Sequence, residues 1–401
     1  MSIGQARAGQ PLSPIEGSLA RQLHGADAWL GLASRSVRIL AAATPENLIE
    51  ERARLTVALT RGARAVPAWH YTRAAPARGG EATRLRPVLE GLASALENLD
   101  EPLTLLYAAR ARELALECAM CEAVGTPVFS ALARARFEEA DDRGLRFARD
   151  LLAKDLQQER DRRAAPDCRP APTEGALRTD DPSPRSLMSR LRAELGKHRA
   201  PFAVRAVRGL SALAATGERH VLVAEGRYAS TEDVERTVVH EVAGHVLPRV
   251  RAETERLAIF RFGTAKGSCD QEGYALLLEE RGGFLGRERL RELCARRVTV
   301  EHASAGASYE EAARLLVDVH GFTFEEAARV AERAFRGGTG SAAGLVRDRP
   351  YLGAWLRLRE AFQSEDDGAA LEDVVSRGQV SLAAARILRP MRDDPAARAP
   401  R

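Results

Sequence analysis

One short segment, residues 230–249 (STEDVERTVVHEVAGHVLPR), constrains the fold more than any other part of the chain. Ser230, with an acidic residue three positions later, is typical of a helix start, and Pro248 is typical of a helix end. Valines recur at helical spacing between these two points, so we expect a helix with one buried face. Near the end of this helix stand two histidines five positions apart, His240 and His245.

The spacing of His240 and His245 does not suit a regular α-helix. Because each residue advances the helix by about 100°, side chains four positions apart diverge by about 40°, and those five apart by about 140°. A regular helix would therefore aim the two imidazoles in different directions. A π-type widening, which repeats every five residues, brings them to the same side, and Gly244 tolerates such a distortion. The motif thus predicts a metal site only if the helix is locally widened.

A metal site of this kind needs a third protein ligand. Residues 263–283 (GTAKGSCDQEGYALLLEERGG) predict a second helix, which begins at the capping box Ser268–Gln271 and ends at Gly282. We expect Glu272 to lie in the first turn of this helix. The residues alone leave the third ligand open among four carboxylates: Glu272, Asp270, Glu279 and Glu280.

The rest of the chain predicts an α+β fold that is dominated by helices, with a small sheet beside the two-histidine helix. Alternating residues at 202–208 and 219–226 predict two strands, and 258–262 and 297–301 are candidates for two more. Thr44, followed by Pro45, predicts another helix start. We divide the chain into a loose N-terminal segment (1–33) that becomes helical towards its end, a helical region (34–160), a Pro-rich loop or linker (161–185), a catalytic region (186–390) and a C-terminal tail (391–401).

Composition excludes several classes of protein. Apolar residues make up 45% and charged residues 29% of the chain, as in a folded globular protein. The net charge of +4 is small and the basic residues are scattered, which argues against nucleic-acid binding. No apolar run approaches the roughly 20 residues that span a bilayer. Only three of the 60 basic residues are lysines, which favours a high-GC bacterial genome.

The N-terminus and the cysteines indicate the compartment. The first 25 residues lack the apolar stretch of a signal peptide. Five cysteines, an odd number, fit a reducing environment, and we interpret Cys118 and Cys121 as buried helical thiols. We therefore expect a cytoplasmic protein with neither a nucleic-acid nor a membrane partner.

Two motifs together carry a resemblance to a known family. HEVAGH (240–245) and QEGYA (271–275) resemble the signature pair of the zinc carboxypeptidases that include the animal microtubule-associated tyrosine carboxypeptidases and whose bacterial members carry a QEGLA motif. Tyr274 stands where relatives have Leu. Further similar segments extend the resemblance over about residues 35 to 390: TPENLIEERARL, PAWHY, GTPVFS, FRGG and RDRPYLG.

The resemblance implies a zincin-like metallopeptidase core that binds one Zn²⁺ per chain. It implies His240, His245 and Glu272 as the zinc ligands and Glu241 as the catalytic base. Such a chain is expected to be a metallocarboxypeptidase that acts on the C-terminus of a peptide or protein, with an aromatic residue as a candidate for the residue released.

A mechanism follows from these residue types. Zinc with two imidazole ligands and one carboxylate ligand lowers the pKa of its bound water to about 7. Glu241 takes the proton of this water and passes it to the leaving amine. Arg336, among glycines in FRGGTG, is a candidate for binding the terminal carboxylate, and Tyr351 is a candidate donor to the developing oxyanion. A solvated Arg336 and a purely structural Tyr351 remain open alternatives.

Two other functions fit the same motif. Zinc dipeptidyl peptidases also carry HExxGH, but they act from the substrate N-terminus and need carboxylates to bind its ammonium group. A non-catalytic binding protein could use the same scaffold. Retention of Glu241 beside all three candidate ligands argues against this second alternative.

Overall fold

The computed structural model describes residues 14–71, 80–163, 175–363 and 366–393, and most of these residues are helical. The helices before the sheet are α1 (Pro14–Ser36), α2 (Ile39–Ala42), α3 (Leu48–Thr60), α4 (Gly80–Glu97), α5 (Pro102–Ala123), α6 (Pro127–Arg136), α7 (Arg143–Arg163) and α8 (Leu187–Lys197). Those after it are α9 (Thr231–Val238), π1 (Val239–Val246), α10 (Leu247–Ala252), α11 (Ile259–Phe262), α12 (Gly267–Arg281), α13 (Arg287–Ser304), α14 (Tyr309–Arg314), π2 (Leu315–Val319), α15 (Phe324–Phe335), α16 (Tyr351–Gln363), α17 (Gly368–Val375) and α18 (Leu382–Asp393). None of the described helices has the length and apolar composition that a membrane crossing requires.

The described ranges also contain five short strands: β1 (Leu177–Arg178), β2 (Ala203–Val207), β3 (Ala214–Thr216), β4 (His220–Ala224) and β5 (Tyr228–Ala229). β4 lies at the centre of a three-stranded sheet, parallel to β2 and antiparallel to β3. β1 and β5 form a separate antiparallel pair. The predicted α+β class with a small sheet is thus confirmed, as are the strands predicted at 202–208 and 219–226.

The other two candidate strands are wrong. Residues 259–262 form α11, and 297–301 lie inside α13. Short apolar runs do not distinguish a strand from a buried helix segment, and both runs lie on helices whose apolar side chains enter a core, as those of Phe260 and Val300 do.

Within the segment 1–33, which we predicted to be loose at first and then helical, the chain is helical from Pro14 onward. Ala26, Leu30 and Ala33 recur at helical spacing and are fully buried, and α1 packs against α4 and α5. Burial of this apolar stripe explains the helix. Residues 1–13, residues 164–174 of the proposed linker, and residues 394–401 of the tail lie outside the described residues. The division of the chain into helical and catalytic regions stays a prediction.

Two predicted helix starts and one predicted helix end need correction. α3 begins after Asn47 rather than at Thr44. Pro248 does not end the two-histidine helix, because α10 continues to Ala252 with the proline in its first turn, where a missing N–H is tolerated. α12 begins after Lys266, before the predicted capping box, so Glu272 lies in its second turn.

π1 lies between the sheet and α12. On one side, Val242 and Val246 join a core formed with β4 and α8, which includes Val221, Val223 and Leu191. On the other side π1 packs on α12. A Cβ atom added at Gly244 would lie 2.5 Å from Ala275 Cβ and 3.0 Å from Ala275 Cα. Gly244 is therefore required for the close approach of the two helices.

Gly244→Ala should force π1 and α12 apart and lower the free energy of unfolding by about 1–3 kcal/mol, which is typical of overpacking. Urea denaturation of the wild type and the variant measures this difference. Gly91→Ala on α4 is the matched control, because no atom lies within 4 Å of its added Cβ. The control should be neutral or stabilising, by up to about 1 kcal/mol. Equal stability of both variants would contradict the packing argument.

Candidate metal centre and active-site cavity

π1 aims two imidazoles at one point. The helix is widened to a π-helix over Val239–Val246, which meets the condition that the five-residue spacing set for a metal site. Nε2 of His240 and Nε2 of His245 lie 3.2 Å apart, and the two rings meet at an angle of 65°. The five-residue spacing therefore brings both side chains to one face, as a regular α-helix could not.

Glu272 of α12 joins this pair. Its Oε2 lies 3.7 Å from His240 Nε2, and its Oε1 lies 3.9 Å from His245 Nε2. One ligand atom from each of the three residues lies within 4.8 Å of the others, so the group could hold a metal ion.

The other three carboxylates of α12 have different partners. Glu279 accepts a hydrogen bond from Nδ1 of His240, on the side of the ring that faces away from Glu272. Glu280 accepts from the Trp355 indole. Asp270 accepts from the Leu382 amide and pairs with an arginine of α16. Of the four carboxylates that the sequence left open as the third ligand, Glu272 is therefore the one whose position favours metal binding.

Each histidine is held through its outer nitrogen. His240 Nδ1 lies 2.6 Å from Glu279 Oε1, and His245 Nδ1 lies 3.0 Å from Gln271 Oε1. Because both oxygens are acceptors, each Nδ1 donates, so Nε2 is the nitrogen of each ring that faces the shared point and that would bind a metal when the ring is neutral. Glu279 is fully buried and is held in turn by Arg289.

The local charges favour a cation between the two rings. Burial disfavours a charged His240, but its hydrogen bonds with Glu272 and Glu279 outweigh burial and raise its pKa to about 10. Burial lowers the pKa of His245. Burial alone would raise the pKa of Glu272, but Arg347, whose guanidinium lies 2.6 Å from Glu272 Oε1, holds that pKa well below its usual value.

Glu241 follows His240 directly and is buried, with 5% of its surface exposed. Its Oε2 accepts a hydrogen bond of 2.7 Å from the Thr216 hydroxyl at the end of β3. Both residues line the same cavity as the three possible ligands. The sheet thus fixes one carboxylate oxygen of Glu241, and the residue shares its cavity with the three possible metal ligands.

This cavity has a volume of about 370 Å³ and is strongly basic. Five acidic residues line it: Asp233, Glu241, Glu272, Glu279 and Glu292. Eight arginines line it as well: Arg227, Arg236, Arg249, Arg289, Arg296, Arg333, Arg336 and Arg347. A cavity with this balance of charge attracts anionic groups.

The side chain of Arg336 differs from those of its neighbours in having no hydrogen-bond partner. Arg336 caps the C-terminal end of α15 and is 7% exposed, and within the described part of the chain its guanidinium makes no hydrogen bond or ion pair. Arg333, one turn earlier, pairs with Asp348. Burial and the nearby charge of Arg333 lower the pKa of Arg336 to about 10. The wall of the cavity therefore carries a buried guanidinium without a hydrogen-bond partner among the described residues.

Tyr351, at the start of α16, is buried and lines the same cavity. Its ring lies 5.8 Å from the guanidinium of Arg347. Burial, and to a smaller degree the nearby carboxylates, raise the pKa of its hydroxyl well above the usual value, so the hydroxyl is a donor at neutral pH. The structure thus places Tyr351 in the same cavity as His240, His245 and Glu272.

Sequence reasoning missed several residues around the site. Arg347 lies in the turn before α16, so helical spacing gives no signal for it. Thr216 and Gln379 carry no local signal, since distant parts of the chain bring them to the site. Cys118 and Cys121 are buried in α5, as we interpreted them.

Comparison with known proteins identifies the family. A search of curated proteins found no match. The family model described as microtubule-associated tyrosine carboxypeptidase matches residues 62–401, which is most of the chain. The chain therefore belongs to the microtubule-associated tyrosine carboxypeptidase family, a family of carboxypeptidases.

Proposed function

We propose that this chain is a zinc-dependent metallocarboxypeptidase that removes the C-terminal residue of a peptide or protein. The convergence of His240, His245 and Glu272 beside Glu241 carries the proposal. We also propose that the widened helix between the sheet and α12 forms a zincin-like core.

Zinc suits the three ligands. Two imidazoles with one carboxylate, and an open fourth position, are typical of catalytic zinc. Ligand atoms about 2.0–2.2 Å from a tetrahedral ion lie about 3.3–3.6 Å from one another. The two Nε2 atoms are already 3.2 Å apart, and the nearest Glu272 oxygens, Oε2 at 3.7 Å from His240 and Oε1 at 3.9 Å from His245, require Glu272 to move closer so that one oxygen binds.

Glu241 would act as the general base. Zinc bound to the three ligands would supply a Lewis acid that polarises the scissile carbonyl and acidifies water. Thr216 occupies one oxygen of the Glu241 carboxylate, which leaves the other free to accept the proton of the attacking water. Glu241 then delivers this proton to the leaving amine. Tyr351 is our candidate donor to the oxyanion that develops on the carbonyl.

Arg336 would bind the terminal carboxylate of the substrate. An unpaired buried charge is costly, and a carboxylate with its fork of acceptors is the natural partner of a guanidinium. The same charges disfavour the dipeptidyl peptidase alternative, because the acidic residues of the cavity already have partners. Arg347 and Arg289, for example, occupy Glu272 and Glu279.

An open strand edge in the cavity supports a peptide substrate. Residues 210–216, which include β3, line the cavity, and β3 is an edge strand. Leu213 and Gly217 bond to β4, so by the alternation of an antiparallel ladder the backbone groups of Ala214 and Thr216 point away from β4. An extended peptide can pair with such an edge.

We propose an aromatic side chain for the released residue. The family's description names tyrosine. Among the residues that line the cavity, five leucines offer apolar contact: Leu40, Leu210, Leu213, Leu276 and Leu293.

Two conservative variants test the assigned roles. Glu241→Gln should keep zinc and the fold but lose a factor of roughly 10²–10⁴ in kcat, because an amide cannot accept the proton of water. Glu272→Gln should weaken zinc binding instead, because a neutral oxygen replaces an anionic ligand. Zinc content and peptidase activity of both purified proteins measure the difference. If Glu241→Gln loses zinc while Glu272→Gln keeps it, the two roles are assigned wrongly.

Removal of the Arg336 charge should affect recognition of the free C-terminus. For a peptide substrate, Arg336→Met should lower kcat/KM by roughly 10- to 150-fold, the equivalent of losing a charged hydrogen bond of about 1.5–3 kcal/mol. The wild type should cleave the C-terminally amidated peptide far more slowly than the free acid, and the variant should lose this preference.

Arg329→Met is the matched control, since Arg329 lies on the same helix but pairs with Glu325 at the surface. It should leave both rates unchanged. Equal cleavage of amide and acid by the wild type would refute the carboxypeptidase assignment.

A further inference from the structure

The turn between α17 and α18 reaches the partner of His245. Oε1 of Gln271 accepts two hydrogen bonds, from His245 Nδ1 at 3.0 Å and from Gln379 Nε2 at 3.1 Å. Nε2 of Gln271 faces the carbonyl oxygen of Gly378 at 3.5 Å. Two consecutive residues of a distant turn therefore determine which end of the Gln271 amide faces the imidazole.

The direction of that amide matters because its two ends have opposite chemistry. In the observed orientation an oxygen faces His245, so Nδ1 carries the ring proton and Nε2 keeps a free lone pair. After a 180° rotation of the amide, an NH₂ group would face Nδ1. The ring proton would then sit on Nε2, which lies 3.2 Å from His240 Nε2 and would be unable to bind a metal.

His240 has no such ambiguity. Its partner is Glu279, and a carboxylate that is held by Arg289 can only accept. The two histidines are thus oriented by different means, one by a carboxylate and one by an amide whose direction must be set from outside.

The turn is itself fixed on α12 and on the segment before it. The Gln379 carbonyl accepts from the Thr264 amide at 2.9 Å, and the Ser381 amide donates to the Thr264 hydroxyl at 2.8 Å. A Cβ atom at Gly267 would lie 1.8 Å from the Gln379 carbonyl oxygen, so no other residue fits there. The Gln379 side chain therefore starts from a constrained backbone.

We propose that Gln379 is a positioning residue that acts through Gln271: it holds the amide oxygen towards His245 and so keeps Nε2 of His245 available to the metal. The inference rests on the proposed role of His245 as a zinc ligand. Gln379, which lies 134 positions after His245 in the sequence, is thereby added to the residues that determine metal affinity.

Zinc affinity and one rescue variant test the proposal. Gln379→Leu should weaken zinc binding by roughly 10- to 100-fold, the usual effect of removing an outer partner of a metal-binding histidine. Competition with a chelator at fixed pH measures it. Gln271→Glu, introduced into the Gln379→Leu background, should restore most of the affinity, because a carboxylate accepts whichever way it is turned. Gln363→Leu at the surface is the control and should bind zinc as the wild type does.

Three outcomes overturn the inference. Undiminished zinc affinity in Gln379→Leu would show that the contact is dispensable. Loss of affinity without rescue by Gln271→Glu would indicate a merely structural role of the turn. In the metal-free protein, ¹⁵N spectra of labelled histidines should place the His245 proton on Nδ1 in the wild type and shift it towards Nε2 in Gln379→Leu; identical spectra would also refute the proposal. This last readout does not depend on zinc, so it remains informative if the wild type binds none and the proposed function fails.

Discussion

The close contact between Gly244 and Ala275 is the constraint on which the site depends. π1 carries His240, Glu241 and His245, whereas α12 carries Glu272 and the outer partners Gln271 and Glu279. The three possible ligand atoms meet only because the two helices approach more closely than any residue larger than glycine would allow. Widening of the helix and absence of a side chain at Gly244 are thus two requirements of the same centre.

Buried charge is the second organising feature. Most arginines and carboxylates of the cavity are paired, as Arg289 is with Glu279 and Arg333 with Asp348. Pairing offsets the large cost of removing each charge from water. Arg336 departs from this pattern, because its guanidinium makes no hydrogen bond or ion pair within the described part of the chain. We therefore propose that a substrate carboxylate is its partner.

Local chemistry explains what the sequence could predict. The π-type distortion followed from the five-residue spacing of His240 and His245, and the two main strands followed from alternation. The helices at 259–262 and 287–304 could not be predicted in this way, because a short apolar run is compatible with either a strand or a helix, and only tertiary packing distinguishes the two. Arg347, Thr216 and Gln379 reach the site through tertiary packing, so no local pattern could have identified their contacts.

The central claim is that His240, His245 and Glu272 bind one catalytic zinc ion. X-ray absorption at the zinc edge of the purified protein tests it most directly. We expect about one zinc per chain with nitrogen and oxygen ligands only, at about 2.0–2.2 Å, two of them imidazoles. This signal should disappear in His245→Ala. A wild-type protein without bound zinc, a sulfur ligand at about 2.3 Å, or a spectrum unchanged in His245→Ala would contradict the account.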